Sequence, residues 1–263
     1  MSKPPPKPGD EPVQVGNSAP FRWLARGWDD FERNPGPGLV HGTGLALFGW
    51  LLLLAARDQF WLLAGMFSGF LIVAPIITVG LYQVSRSCSV GHCVGMREVA
   101  GLWMSGNGRL VRFGLLLSLA GTGWVLTSAA LITAYSPVPI QRPVDFFRLV
   151  VLAPSSGLFE VWMVLGGLLA APMFASSVLA IPMLVDTRAT VMQAVFASWR
   201  AVAVNPLPMT IWAWTIIALV GWGMLTGLIG LVLLVPVLAH ASWHAYCELV
   251  GVPDPVGPVR LHR

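Results

Sequence analysis

Six apolar runs constrain the fold of this chain more than any other feature of its sequence. Each run is long enough to cross a hydrocarbon core of roughly 30 Å as an α-helix, which rises about 1.5 Å per residue. Only residues 57–59 separate the first two runs, so these two must form a tight hairpin. We predict six transmembrane helices in three hairpins, at about residues 39–56, 60–84, 113–135, 158–185, 209–225 and 228–249.

The composition excludes most classes of soluble protein. Of the 263 residues, 56% are hydrophobic and 11% are charged, with a mean hydropathy of +0.72, whereas about a quarter of the residues of a globular domain are charged. Outside the apolar runs no stretch exceeds about 38 residues, and a domain usually needs roughly 50 or more. The predicted fold class is therefore an all-α membrane protein that has no soluble catalytic domain.

A tryptophan followed by Asn-Pro occurs twice, about 170 residues apart, and each copy precedes an apolar run. The residue before a proline is disfavoured in the α conformation. Each Asn-Pro should therefore end an amphipathic helix that lies along the cytoplasmic membrane surface and begin a transmembrane helix. The matching positions are Trp28, Asn34 and Pro35 in the first copy, and Trp199, Asn205 and Pro206 in the second.

A third, more divergent copy of this pattern lies in residues 91–109, which lack Asn-Pro but contain Trp103 and Asn107. We therefore predict an internal repeat of three units, each an interfacial helix followed by a membrane hairpin. Aromatic residues collect at the membrane interface, and we place Trp23, Trp28, Trp103 and Trp199 there.

The first interfacial helix is predicted from the spacing of apolar residues in 21–33. Its charged residues, Asp30 among them, are available for the opposite, polar face. The residues predicted on the apolar face are Phe21, Leu24, Trp28 and Phe31.

Basic residues predict the orientation, because cytoplasmic loops carry an excess of lysine and arginine. With both termini cytoplasmic, thirteen basic residues lie inside and three lie outside.

The predicted parts are a disordered Pro-rich cytoplasmic tail, a six-helix transmembrane domain and a short C-terminal tail, at 1–19, 20–250 and 251–263. The basic residues should meet anionic headgroups, so the bilayer is the predicted partner and nucleic acid is not. Cys88 and Cys93 fall on a cytoplasmic loop, where reduced thiols are the default.

Several segments resemble one known family when they are taken in order. They are GWDDFERNP, APIITVGLYQVSR, AIPMLVD, SWRAVAVNP and PVLAHASWHAYCELV. In these segments the chain resembles the bacterial membrane family DUF2189 over about residues 20–250. The resemblance implies a predicted integral membrane protein, and it supplies no catalytic residue. Some members are labelled as cytochrome c oxidase subunits, which implies a bacterial inner-membrane location and a partner among respiratory or other energy-transducing complexes.

One cluster of residues has the chemistry of a metal site. His240, His244 and Glu248 stand at i, i+4 and i+8 and so share one face of the last predicted helix, and His41 lies near the same end of the first. Imidazole pairs at this spacing can bind a metal, with a carboxylate completing the set. The alternative is that these polar groups hydrogen-bond between helices, because any polar group in lipid needs a partner. Two histidines on one helix face cannot bind opposite sides of one haem, so no haem is predicted.

Three functions remain open on the sequence alone. The leading hypothesis is a non-catalytic accessory or assembly subunit of a larger membrane bioenergetic complex, or a bilayer-organising protein. The second is a transporter or channel for a small or lipid-like molecule, although no acidic residue lies at the centre of a predicted span, where ion-coupled transporters usually keep one. The third is a metal-binding redox protein that uses His240 and His244. We predict no enzyme activity.

Overall fold

The computed structural model describes residues 11–89, 94–104, 107–136, 138–152 and 157–252, and no strand occurs among them. This confirms the predicted all-α class. The first half contains α1 (Ala19–Arg33), α2 (Pro35–Ala55), α3 (Phe60–Ile77), α4 (Val79–Ser89), α5 (Met96–Met104) and α6 (Gly108–Tyr135). The second half contains α7 (Pro143–Phe146) with a π-helical turn (Phe147–Val151), α8 (Leu158–Ser177), α9 (Ala180–Asp186), α10 (Val191–Val204), α11 (Pro206–Leu225) and α12 (Leu231–Leu249).

Four segments in the described part of the chain are long and apolar enough to cross a membrane: Pro35–Ala55, Gly108–Tyr135, Leu158–Asp186 and Pro206–Leu225. The other two predicted spans, at 60–84 and 228–249, are not among these four segments. The predicted helix at 60–84 is divided at Thr78 into α3 and α4. The predicted helix at 228–249 is α12, whose C-terminal half carries two histidines and a glutamate. The number of spans, six, stays a prediction.

Helix α12 lies at the centre of the fold, in contact with α1, α2, α4, α9 and α11. Between Pro236 and Leu249 every residue except Ser242 and Glu248 is buried. Its polar side chains therefore face other helices rather than lipid. This is why a helix that carries two histidines and a glutamate can occupy the interior of a membrane protein.

Glycines let α1 and α2 pack directly on the backbone of α12. A Cβ atom added at Gly27 would lie 2.6 Å from both Ala241 N and Val237 O, closer than atoms can pack. A Cβ added at Gly42 would overlap Val232 O. Pro236 has no N–H to donate to that carbonyl, so α2 passes α12 where the helical hydrogen-bond ladder is interrupted.

The buried face of α1 differs from the predicted one. Phe21 is 61% exposed and Trp28 is 44% exposed, whereas Trp23, Gly27 and Asp30 are buried against the protein. An interfacial helix has two apolar neighbours, lipid and protein, and a hydrophobic pattern does not say which neighbour each apolar residue meets. The prediction that Asp30 was available for the polar, solvent-facing face was wrong for this reason.

The two Asn-Pro joints have similar backbone geometry. Asn34 has φ −146° and ψ 72°, and Asn205 has φ −126° and ψ 54°. At each joint one helix ends immediately before the asparagine and the next begins at the proline. Proline suits the first helical position, because the N–H it lacks would have no partner there.

Part of the segment assigned to a disordered tail is held against the domain. Val13 N donates to Leu249 O at 2.8 Å, and Val15 N donates to Asn205 Oδ1 at 2.8 Å. Residues 11–18 are thus connected to α12 and to the second Asn-Pro joint. Residues 1–10 and 253–263, which complete the two predicted tails, lie outside the described residues.

Candidate functional site

The centre of the candidate site is a buried pair formed by Asp30 of α1 and His244 of α12. His244 Nε2 donates to Asp30 Oδ2 at 2.8 Å, and both side chains are almost fully buried. Arg33 lies farther from the same carboxylate, at 3.9 Å from Oδ1, and is half-exposed. A buried carboxylate is costly unless it is hydrogen-bonded or paired, so the His244 ring and Asp30 depend on each other.

His240 lies one turn before His244 and is also fully buried. Its Nδ1 is 2.7 Å from the hydroxyl of Ser85 on α4. Its Nε2 has no hydrogen-bond partner among the described residues. A buried nitrogen without a partner is uncommon in folded proteins and marks a place where water or a ligand can be held.

His41 of α2 completes the histidine group. Its Nδ1 donates to Pro37 O, one turn earlier in the same helix, at 2.7 Å. Helix α2, which carries His41, packs against α12 and also contacts α1 and α4. The three histidines therefore share one region of the interior, where α1, α2, α4 and α12 meet.

Glu248, which the sequence grouped with these histidines, is engaged elsewhere. Its carboxylate accepts hydrogen bonds from Trp23 Nε1 at 2.8 Å and from Arg22 at 2.6 Å. Within the described ranges no three His, Cys, Asp or Glu side chains form a group that could hold a metal ion. Metal binding at His240, His244, His41 and Glu248 therefore stays a prediction. Glu248, the proposed carboxylate ligand, is already held by Trp23 and Arg22.

Sequence reasoning missed Asp30 and Ser85, although it identified the histidines. Asp30 lies among five other charged residues in 22–33, and nothing in that run distinguishes a buried acid from an exposed one. The sequence feature that could have identified Asp30 as a buried residue is its position along the helix relative to Gly27. Asp30 stands three residues after Gly27, which is the closest contact of α1 with α12, and i and i+3 share one helix face.

A second polar contact lies beside the histidine group. The hydroxyl of Tyr246 donates to Asp186 Oδ2 at 2.8 Å. Arg86 approaches the other oxygen of the same carboxylate, Asp186 Oδ1, at 3.2 Å. This contact joins α12 to the ends of α4 and α9.

Three asparagines make the same kind of contact at three places in the chain. Asn34 Nδ2 donates to Val94 O at 2.9 Å, Asn107 Nδ2 to Leu184 O at 3.0 Å, and Asn205 Nδ2 to Val13 O at 3.0 Å. Each acceptor lies a few residues before an amphipathic helix, respectively α5, α10 and α1. Each asparagine thus holds a segment that precedes another amphipathic helix. Asn34 holds the segment before α5, Asn107 the segment before α10, and Asn205 the segment before α1.

The tryptophans predicted at the membrane interface have different environments. Trp28 and Trp199, which occupy matching positions of the repeated pattern, are 44% and 45% exposed. Trp23 is fully buried, with its ring centroid 5.7 Å from that of Trp212. Trp103 lies in α5, and its side chain falls outside the described residues. Trp23 therefore packs inside the protein, and its place at the level of the membrane interface stays a prediction.

Two apolar grooves open on the side of the bundle. One has a volume of about 540 Å³ and is lined by residues of α2, α3 and α5, and the other has a volume of about 600 Å³ and is lined by α6, α8 and α10. The first groove thus lies beside the amphipathic helix α5, and the second beside α10. His41 lines the first groove, so the histidine group borders it.

The expectation that Cys88 is a reduced thiol on a loop differs from the structure, in which Cys88 lies near the end of α4. Cys88 is disulfide-bonded, whereas Cys247 is a free, buried thiol. Cys93 lies outside the described residues.

Comparison with known proteins returned one family. Searches of curated proteins and of solved structures found no match to this chain. The model of the family described as "Predicted integral membrane protein (DUF2189)" matches residues 62–186. That segment contains α3, α6, α8 and α9, and with them two of the four candidate spans. The match confirms the resemblance expected from the sequence motifs: over residues 62–186 this chain is similar to the DUF2189 family of predicted integral membrane proteins.

Proposed function

We propose that the protein is a non-catalytic component of the membrane, either an accessory or assembly subunit of a larger bioenergetic complex or a bilayer-organising protein. One observation carries this proposal. The polar side chains of the interior are largely occupied in contacts between helices, whereas the two grooves described above are apolar and open sideways. Side chains that hold helices together are not free to act on a substrate, so the outward-facing surface is where this protein acts.

The proposed architecture has six spans in three hairpins, each introduced by a cytoplasmic amphipathic helix. The similar backbone of the Asn34 and Asn205 joints supports the repeat. So does the cyclic order of the three asparagine contacts, in which each unit is linked to the next. The units also meet at the centre, because α4, α9 and α12 all contact one another.

The proposed orientation places both termini in the cytoplasm of a bacterial cell, with the protein in the inner membrane. The excess of arginine and lysine on one side supports it. Labelling of single cysteines introduced at Arg26 and Arg148 with a membrane-impermeant reagent tests it. Intact cells should be labelled at position 148 and not at position 26. The reverse pattern would contradict the orientation.

Purification in a mild detergent followed by mass spectrometry tests the accessory-subunit form of the proposal. A membrane-protein partner should co-purify in constant ratio with the chain. Repeated recovery of the chain alone would contradict a subunit role and favour the bilayer-organising form.

The transporter hypothesis predicts a polar, water-filled cavity near the middle of the bilayer. The apolar lining of the two described grooves does not favour it. Uptake assays in proteoliposomes test this alternative directly.

A further inference from the structure

Two exposed arginines lie close in sequence to residues that line the groove between α6, α8 and α10: Arg112 precedes Leu116 by four residues, and Arg188 precedes Val191 by three. Residues that line it include Leu116, Ala120, Gly123, Pro172, Met173 and Met192. We propose that this groove is a binding site for one anionic phospholipid, with an acyl chain in the groove and the headgroup phosphate at Arg112 and Arg188. The proposal is independent of whether the protein is a subunit of a larger complex.

The position of Arg112 follows from the helical period of α6. Arg112 precedes Leu116 by four residues, and residues at i and i+4 share one helix face. Leu116 and Ala120 both line the groove, so Arg112 continues the same stripe toward the start of the helix. Arg112 is exposed and makes no hydrogen bond or ion pair within the part of the chain that the structure describes.

Arg188 is brought to the same end of the groove by a neighbouring arginine. Arg109 NH1 donates to Thr187 O at 2.9 Å and to Ala189 O at 2.8 Å. These two carbonyls flank Arg188, so the segment that carries Arg188 is fixed to the first turn of α6. Arg188 is itself exposed and, among the described residues, unpaired.

The charges at this end favour an anion. Arginines held at the same end of a groove would repel one another, and a phosphate would relieve that repulsion by accepting hydrogen bonds from both. The nearest acid along the chain, Asp186, is already bound to Tyr246 and Arg86. Among the described residues that line the groove, none is acidic. The combination of an apolar groove with two cations at its end matches an acyl chain joined to a phosphate.

The third unit closes the space that stays open as a groove in the other two units. The corresponding space in the third unit, between α11, α12 and α1, is occupied by Trp212 packed edge-on against Trp23, with ring centroids 5.7 Å apart. Both indoles are fully buried. Where the chain closes this space it uses large aromatic side chains, whereas the α6–α8–α10 groove has Gly123 and Ala120 on its wall.

Lipid retention tests the arginines. The full-length protein is reconstituted in nanodiscs of equal parts phosphatidylcholine and phosphatidylglycerol and extracted in mild detergent, and the retained lipids are quantified by mass spectrometry. Phosphatidylglycerol should be enriched over the bilayer ratio, and the double variant Arg112→Gln/Arg188→Gln should lose that enrichment. The control Arg57→Gln/Arg148→Gln removes two other exposed arginines and should keep it. A wild-type protein that shows no enrichment, or a groove variant that retains it, would overturn the proposal.

Photo-crosslinking tests the groove itself. A phosphatidylglycerol with a photoreactive acyl chain should crosslink to Leu116, Met173 or Met192 in preference to exposed residues outside the groove such as Leu119. Gly123→Leu places bulk on the groove wall and should reduce these crosslinks. Gly167→Leu is the matched control, because Gly167 is also exposed in a helix, has open space around it and does not line the groove.

The two glycine variants are expected to fold, since leucine favours the helix more than glycine does. Equal thermal stability of both proteins in detergent checks this. Crosslinks spread evenly over the apolar surface, or a groove that crosslinks to another protein in place of lipid, would contradict the proposal.

Discussion

His244 and Asp30 lie 214 residues apart in the sequence and 2.8 Å apart in the fold. The hydrogen bond between them joins the last helix to the first in a site closed to solvent and lipid. The beginning and the end of the chain are therefore held together by a polar contact, in a protein whose other interior contacts are mostly apolar.

Asp30→Ala should destabilise the protein strongly. The variant removes the carboxylate that accepts a hydrogen bond from His244 Nε2, and the loss of one partner of a buried hydrogen bond costs about 1–3 kcal/mol. Denaturant-induced unfolding in detergent, followed by tryptophan fluorescence, measures the loss. Asp29→Ala is the matched control, because Asp29 is only partly buried and has no hydrogen bond among the described residues. Equal stability of the two variants would show that the Asp30–His244 contact is unimportant.

Gly27→Ala should separate α1 from α12. The added methyl group would lie 2.6 Å from Val237 O and Ala241 N, and overpacking of this kind typically costs about 1–3 kcal/mol. The melting temperature in detergent is the measurement. Gly36→Ala serves as the control, since a Cβ at Gly36 has no atom within 4 Å. A Gly27→Ala protein as stable as the control would contradict the close packing of α1 on α12.

Asn205→Ala should release the segment before α1. The Asn205 side chain accepts from Val15 N and donates to Val13 O, and each such hydrogen bond contributes about 0.5–1.5 kcal/mol. Hydrogen–deuterium exchange should show faster exchange for the peptide that contains Val15. Asn17→Ala, at an exposed position in the same segment, should leave the exchange unchanged. Protection that survives in Asn205→Ala would mean that other contacts hold this segment.

The metal hypothesis predicts that the purified protein contains a bound transition metal and that His244→Ala lowers its content. Elemental analysis by mass spectrometry measures both. Glu248→Gln should have little effect on metal content, because Arg22 and Trp23 already hold that carboxylate. A protein without metal, or a His244→Ala variant with unchanged content, would dispose of the hypothesis.

The helices themselves follow from the sequence, whereas the neighbours of each helix do not. Apolar length predicted α2, α6, α8 and α11, because a bilayer requires about 20 apolar residues in a row. The same criterion predicted a span at 228–249, where the structure has α12, whose C-terminal half is enclosed by protein and carries His240 and His244 among apolar residues. Hydropathy measures transfer out of water, and it does not separate a lipid environment from a protein one.

Trp23 and Trp28 show the same limit at the level of single residues. Both are tryptophans of the same amphipathic helix, yet one packs against Trp212 in the interior and the other is 44% exposed. Five residues apart, they point in directions that differ by more than a quarter turn of the helix. Their positions along the helix show that the two side chains point in different directions. Only the position of α12 decides which of these directions faces the interior of the protein. That position depends on contacts between residues some two hundred apart, and local patterns contain no information on them.

The packing of α1 on α12 also has a consequence for biogenesis. A ribosome makes α1 first and α12 last, so α1 has no access to its main partner until nearly the whole chain has been synthesised. During that interval Asp30 cannot reach His244 and must remain hydrated near the membrane surface, since an unpaired carboxylate is costly in an apolar medium. Completion of α12 is thus the event that lets the first helix dock, and a chain truncated before His244 should keep α1 accessible to protease.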